Sequence, residues 1–299
     1  MKMKHPFTRR AVATIAASLF ILGACGGSSE SDSADTTAAP AKQLRIVSLS
    51  PTATEMLYAI GAGDQVVAVD SLSTYPAEVA DKVTKISAYE PSAEAILGYT
   101  PDVVVISNDM NKITEQLTTA NKDITVWTGA AATTIDDVYK QIGELGELTG
   151  QVEEATDLVG VMKASIEKAI SSVTPNTTAS YYYELDNTYY SVTSNTFVGA
   201  LLKPFGLKNI ADGVEAGNDY PQLNAEAIAK ANPTVIFLAD TKCCAVTKDV
   251  VSKRAGWGGI DAVKNGNIVE LDDDVASRWG PRVVNLIEQF AAAVSSLSK

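Results

Sequence analysis

Histidine is almost missing from this 299-residue sequence: His5 is the only one. It lies in an N-terminal stretch that reads as a removable signal, so the body of the chain carries no imidazole. That excludes Ser-His-Asp and Cys-His catalysis and histidine-ligated zinc or haem. A haem held by tyrosinate stays open. Cysteine is scarce too, with Cys25, Cys243 and Cys244 alone. Two thiolates without a third sulfur or an imidazole make a poor closed metal site. Positive charge is short: 24 Lys and Arg against 36 Asp and Glu leave a formal net charge of -12. So acidic a chain repels nucleic acid and anionic lipid headgroups. The apolar run 11–22 is shorter than the about 20 residues that cross a bilayer. No Gly-x-Gly-x-x-Gly phosphate cradle follows any expected strand.

What is present is organised around 150–173. This stretch has no proline, and its apolar residues include Val152, Ala155, Leu158, Val159, Met162, Ile166, Ala169, Ile170 and Val173. The three-and-four spacing predicts one helix of roughly 35 Å. The halves on either side echo each other. Ala93-Glu94-Ala95-Ile96, Pro101 and the strand-like 102–106 precede it. Ala225-Glu226-Ala227-Ile228, Pro233 and the strand-like 234–238 follow it, with the same glutamate-to-proline spacing.

At the N-terminus, Lys2, Lys4, Arg9 and Arg10 precede the apolar run, which ends in Leu22-Gly23-Ala24-Cys25. Basic, apolar and then small residues read as a secretion signal over 1–24. The last four resemble the lipobox of bacterial lipoproteins, which implies cleavage before Cys25, lipid on its thiol and an extracytoplasmic, membrane-anchored body. From Cys25 onward, 20 basic residues face 36 acidic ones, a net of -16. Residues 25–42 are rich in Gly, Ser, Asp, Thr and Ala, with one proline and no large apolar residue, which predicts a flexible tether.

Strand and helix patterns then alternate, so the sheets should be largely parallel. In the first half strands are expected at 44–49, 65–69, 85–87, 102–106 and 124–127, with helices at 53–60, after Ser92 and at 134–148. In the second, strands are expected at 180–184, 234–238 and 268–271, and a closing helix from Gly280. In open α/β sheets ligands sit beyond the carboxyl ends of strands. Those ends carry Ser50, Tyr75, Tyr89 and Asn108.

RIVSLSPTATEMLYAIGAGDQVVAVD, a Tyr-Pro turn and AYEPSAEAILGYTPDVVVIS together resemble the N-terminal lobe of ABC-transporter substrate-binding proteins for iron-siderophores, haem and vitamin B12, the cobalamin-binding branch in particular. The resemblance runs from Leu44 to the C-terminus. It implies the class III periplasmic-binding-protein fold: two Rossmann-like α/β lobes, 43–149 and 174–299, joined by a single long rigid helix, 150–173. It also implies a non-enzymatic monomer with no cofactor of its own. Such a protein holds a ferric siderophore or a corrinoid or other tetrapyrrole between its lobes and delivers it to an ABC permease dimer with its ATPase. Receptors for bare zinc or manganese in related groups use histidines, which this chain lacks.

Within the resemblance, Glu94 and Glu226 match the lobe-surface glutamates that dock into arginine pockets of the permease. Tyr89 and Tyr220 fall where the cobalamin-binding branch has cleft tryptophans, and tyrosine there leaves siderophore and other tetrapyrrole ligands open. Tyr75 belongs to the cleft-edge Tyr-Pro turn. Arg278 lies in the arginine-containing segment before the last helix, from which a guanidinium reaches an anionic ligand or, alternatively, Asp272, Asp273 and Asp274. Trp279 stacks on a flat ligand or packs under the helix. Cys243 and Cys244 should sit by the cleft, either bonded to each other or free, with a vicinal disulfide expected in an oxidising compartment. The rival class is a carboxylate-dependent α/β surface hydrolase, built on acids such as Asp272, Asp273 and Asp274.

Overall fold

A computed structural model describes residues 43–297; the expected signal, the tether and Cys25 lie outside the described residues. The first half contains β1 (Ile46–Leu49), α1 (Pro51–Ala59), β2 (Val66–Val69), α2 (Ala93–Leu97), β3 (Val103–Ile106), α3 (Ile113–Ala120), β4 (Thr125–Thr128) and α4 (Ile135–Thr149). A long helix, α5 (Val152–Ser171), follows. The second half contains β5 (Ser180–Glu184), α6 (Phe197–Leu202), β6 (Lys208–Asn209), α7 (Ala225–Ala231), β7 (Val235–Leu238), α8 (Lys248–Ser252), α9 (Asp261–Lys264), β8 (Ile268–Glu270), α10 (Asp273–Ala276) and α11 (Val283–Leu297).

The strands form two separate four-stranded sheets, ordered β2-β1-β3-β4 and β6-β5-β7-β8. All pairings are parallel. The central strands β3 (VVVI) and β7 (VIFL) are unbroken apolar runs, and β1 and β5 depart from this only at Ser48, Ser180 and Glu184, because each sheet is covered on both faces. Ile46, Val103 and Val105 point into the main core, whereas Val47, Leu49, Val104 and Ile106 point into an outer cluster with Ile113 and Leu117. The second sheet divides likewise: Tyr181, Tyr183 and Phe237 face the main core, and Tyr182, Ile236 and Leu238 meet Trp257 on the outer side. The main core runs through both halves by way of α5 and α11.

The long helix begins two residues later than the periodicity suggests. Gly150 adopts φ +77° and ends α4 instead, a left-handed stop that glycine adopts without steric cost. Ala155, Met162, Ile166 and Ala169 form the buried stripe of α5, while Val152 and Val161 stay exposed. At Gly146, an added Cβ would come within 2.5 Å of the Ala155 Cβ, so the two helices meet at a side chain reduced to hydrogen. The strand expected at 85–87 is a loop. Thr84 takes the Val69 carbonyl with both its backbone N–H and its hydroxyl. That hydroxyl in turn accepts from the Ile86 N–H, so the chain turns away before a ladder forms.

Candidate functional site

At the carboxyl ends of both sheets lies a cavity of about 610 Å³. The first half supplies Leu49 at the end of β1 with Pro51 and Thr52 beyond it, Leu72 after β2, Ala88 and Tyr89 from the loop before α2, and Ile106 at the end of β3 with Ser107 and Asn108 beyond it. The second half supplies Cys243 after β7 and Asp274, Ser277, Arg278 and Trp279 around α10. The wall is largely apolar, with hydroxyl, amide and thiol groups between.

Of the residues the sequence nominated, Tyr89, Asn108, Cys243, Arg278 and Trp279 line this cavity. The others do not. Ser50 is buried: its hydroxyl caps α1 through the Ala53 N–H and accepts from Ser107 Oγ at 2.8 Å, so it shapes the loop from behind. Tyr75 lies under the Arg282 guanidinium, 4.1 Å from its ring centre, on a second concavity shared with Tyr58 and Lys82. Tyr220 is exposed on the surface of the second half, outside the cavity wall. Cys244 turns inward against the outer cluster of the second sheet. The expected bond between the cysteines is not formed in this structure. Both are free thiols, and their Sγ atoms are 2.7 Å apart.

Arg278 is not open to a ligand in the way its position suggests. Its Nη1 donates to Glu55 Oε1 at 3.1 Å, and its Nη2 donates to Asp274 Oδ1 at 2.9 Å and to the Leu72 carbonyl at 3.1 Å. Arg282 Nε donates to Glu55 Oε2 at 2.9 Å, and its Nη2 also reaches Glu55 Oε1. Glu55, on α1, thus holds two arginines of the second half. Gly280 passes close enough that an added Cβ would sit 3.0 Å from the same carboxylate. Asp70, fully buried, accepts from the Leu72 and Ser73 N–H groups and so presents the Leu72 carbonyl to Arg278. Burial pushes its carboxyl above the ordinary range despite those bonds. Trp279 donates from Nε1 to Gln141 Oε1 at 3.0 Å, a further tie between the halves.

The loop carrying the cysteines rests on two aspartates. Asp273 accepts from the Lys242 and Cys243 N–H groups and from Thr241 Oγ1. The Asp240 carbonyl accepts from the Cys244 and Val246 N–H groups. The Asp240 side chain is buried near Glu184, which Arg254 grips through two bonds of 2.6 Å. Burial first, and then the Glu184 carboxylate, push Asp240 up to about 7. Between its ordinary value of 3.8 and about 7 the folded form alone keeps the proton. Its contribution to stability is therefore full at low pH and is lost as pH rises through about 7. Asp240→Asn is expected to be more stable than wild type at pH 8, by on the order of 2 kcal/mol, with the gap closing toward pH 5. Thermal melts across that range check it, and parallel curves would refute it.

Glu94 and Glu226 lie away from the cavity. Each occupies the second position of a short helix, α2 capped by Ser92 and α7 capped by Asn224. Both are exposed.

The family model described as periplasmic binding protein matches residues 46–275. The chain belongs to the periplasmic binding protein family. It is 33% identical over 257 residues to the uncharacterized ABC transporter substrate-binding lipoprotein YvrC of Bacillus subtilis (strain 168), a match covering 84% of this chain and 79% of that protein. It is 31% identical over 258 residues to the cobalamin-binding protein of Halobacterium salinarum, covering 83% and 69%. A solved structure of a possible iron-binding (periplasmic solute-binding) protein from Staphylococcus epidermidis ATCC 12228 superposes with a TM-score of 0.70 at 27% identity, covering 85% of this chain and 99% of that one. The two parallel-sheet lobes are thus those of a class III binding protein, and the relatives are solute-binding proteins of transporters. None of them supports the hydrolase alternative.

The residue that sequence reasoning missed is Glu55. It was visible only as an acid on a short helix; its partners lie 223 and 227 positions later.

Proposed function

We propose that this protein captures a corrinoid between its lobes and delivers it to an ABC importer, held at the membrane by lipid on Cys25. The observation that carries the ligand class is the charge balance of the cavity. Its one lining cation among the described residues, Arg278, is already engaged by Glu55 and Asp274. A ferric catecholate brings several negative charges and would find no uncommitted guanidinium there. A corrinoid presents a broad, largely apolar ring with amide side chains. Leu49, Leu72, Ile106 and Trp279 suit the ring, and Asn108, Ser107 and Thr52 suit the amides. The relatives named as cobalamin-binding support the same reading. Tyr89 and Trp279 are the aromatic faces of the wall, and Glu94 and Glu226 the permease contacts.

Titration of tryptophan fluorescence with cyanocobalamin, haemin and ferric siderophores tests this reading. Cyanocobalamin should quench, and Trp279→Ala should weaken its binding by about tenfold through lost ring contact. Quenching by a ferric siderophore and not by cyanocobalamin would overturn the assignment.

A further inference from the structure

The adjacent thiols are left over from the binding chemistry, and their surroundings give them a role. Cys243 is exposed on the cavity wall, and Cys244 is half-buried behind it. Their Sγ atoms lie side by side, so the pair meets the first requirement for bonding to each other. The loop does not need a bond between them to keep its shape. Asp273 holds it from one side through three donors, and the Asp240 carbonyl holds it from the other. Ala245, next in the chain, already sits at φ +53°, a left-handed conformation unfavourable for a residue with a Cβ. The loop thus holds the two thiols side by side with no bond between them.

We propose that Cys243 and Cys244 form a reversible dithiol–disulfide couple in the cavity wall, oxidised by a low-molecular-weight disulfide, and that its state sets the affinity for the ligand. One protein thiolate attacks the small disulfide, giving a mixed disulfide and releasing one small thiol. The neighbouring thiolate then attacks the protein sulfur of that mixed disulfide and releases the second. Two protein S–H bonds are lost and one S–S bond forms; the oxidant's S–S bond is reduced to two thiols, which take the two protons. The thiolate is the attacking species, so oxidation is faster in alkaline solution.

The coupling to the ligand is structural. Ring closure must shift Cys243, whose N–H is tied to Asp273. The next residue, Asp274, holds Arg278 at 2.9 Å, and Arg278 is joined to Glu55 of the other half. A strained vicinal ring thus pulls on a cavity-lining arginine through two contacts. The affinity clause rests on the corrinoid reading above; the couple itself does not.

The test treats the purified protein with oxidised glutathione at pH 9 and, separately, with dithiothreitol, then weighs each form intact. Loss of two hydrogens per chain is expected on oxidation and recovery on reduction. Cys243→Ser and Cys244→Ser should instead stop at a glutathione adduct or stay unmodified. Cyanocobalamin titration of the two wild-type forms should differ by at least fivefold, and a serine variant that the mass shows to carry no adduct should bind alike after either treatment. No loss of hydrogen, or a stable adduct on both wild-type sulfurs, overturns the couple. Equal affinities overturn its control of the ligand. Binding of cyanocobalamin by neither form overturns the ligand reading and the affinity clause together, while the mass still decides the couple.

Discussion

Replacing Glu94 and Glu226 together by alanine is expected to stop uptake while leaving ligand binding unchanged. Each glutamate stands at the second position of a short capped helix, one in each half, with its carboxylate in solvent. Its charge is favourable at a helix N-terminus, but only by about 0.3–1 kcal/mol, so removal should barely affect folding. At a docking surface the same carboxylate is worth more, because a buried arginine partner left without it costs about 2–5 kcal/mol. Two such losses should reduce transport more than tenfold, and single variants should fall between. Labelled-cyanocobalamin uptake by cells that depend on this protein, beside fluorescence titration of the purified variants, gives both readouts. Normal uptake by the double variant would remove the docking role; lost binding would place the glutamates in the cleft instead.

The second large effect concerns stability. Glu55→Ala should cost about 3–5 kcal/mol, because it leaves Arg278 and Arg282 in a poorly solvated site without their shared carboxylate. Their side chains are only 12% and 16% exposed, so water can replace little of what is lost. For a body of this size that corresponds to a drop in Tm of roughly 10 °C. Replacing the trio together, as Glu55→Leu with Arg278→Met and Arg282→Met, should restore much of the loss, since desolvation of the charges then disappears with their attraction. Calorimetry of the single and triple variants separates these terms. A loss under about 1 kcal/mol for Glu55→Ala would mean that solvent reaches the arginines freely.

The fold was readable where burial is continuous. The runs IVSL, VVVI and VIFL mark central strands because both sheet faces are covered, and a period of three and four residues marks α5. The site was readable only in part. Chain order places Tyr75 near a strand end, and the family resemblance brings Tyr220 to the cleft, but side-chain direction depends on loop geometry that no spacing encodes. Tyr75 is drawn aside by the Arg282 guanidinium, and Tyr220 follows a surface turn fixed by Asn218. Arg278 meets Asp274, one of the nearby aspartates the sequence offered, but it is tied as well to Glu55, more than two hundred residues away. Likewise nothing in the sequence singles out Asp240, and only the fold brings it to Glu184.

The two sheets share one strand order, second-first-third-fourth, and each sets a glutamate at the same helical position. A transporter made of twin subunits would therefore meet much the same shape whichever way round the molecule arrived. What differs between the two halves is the chemistry at the mouth: Tyr89 over one subunit, the thiol-bearing loop over the other. With identical subunits the two arrivals would be related by the transporter's own twofold axis, so either way round would give one and the same complex.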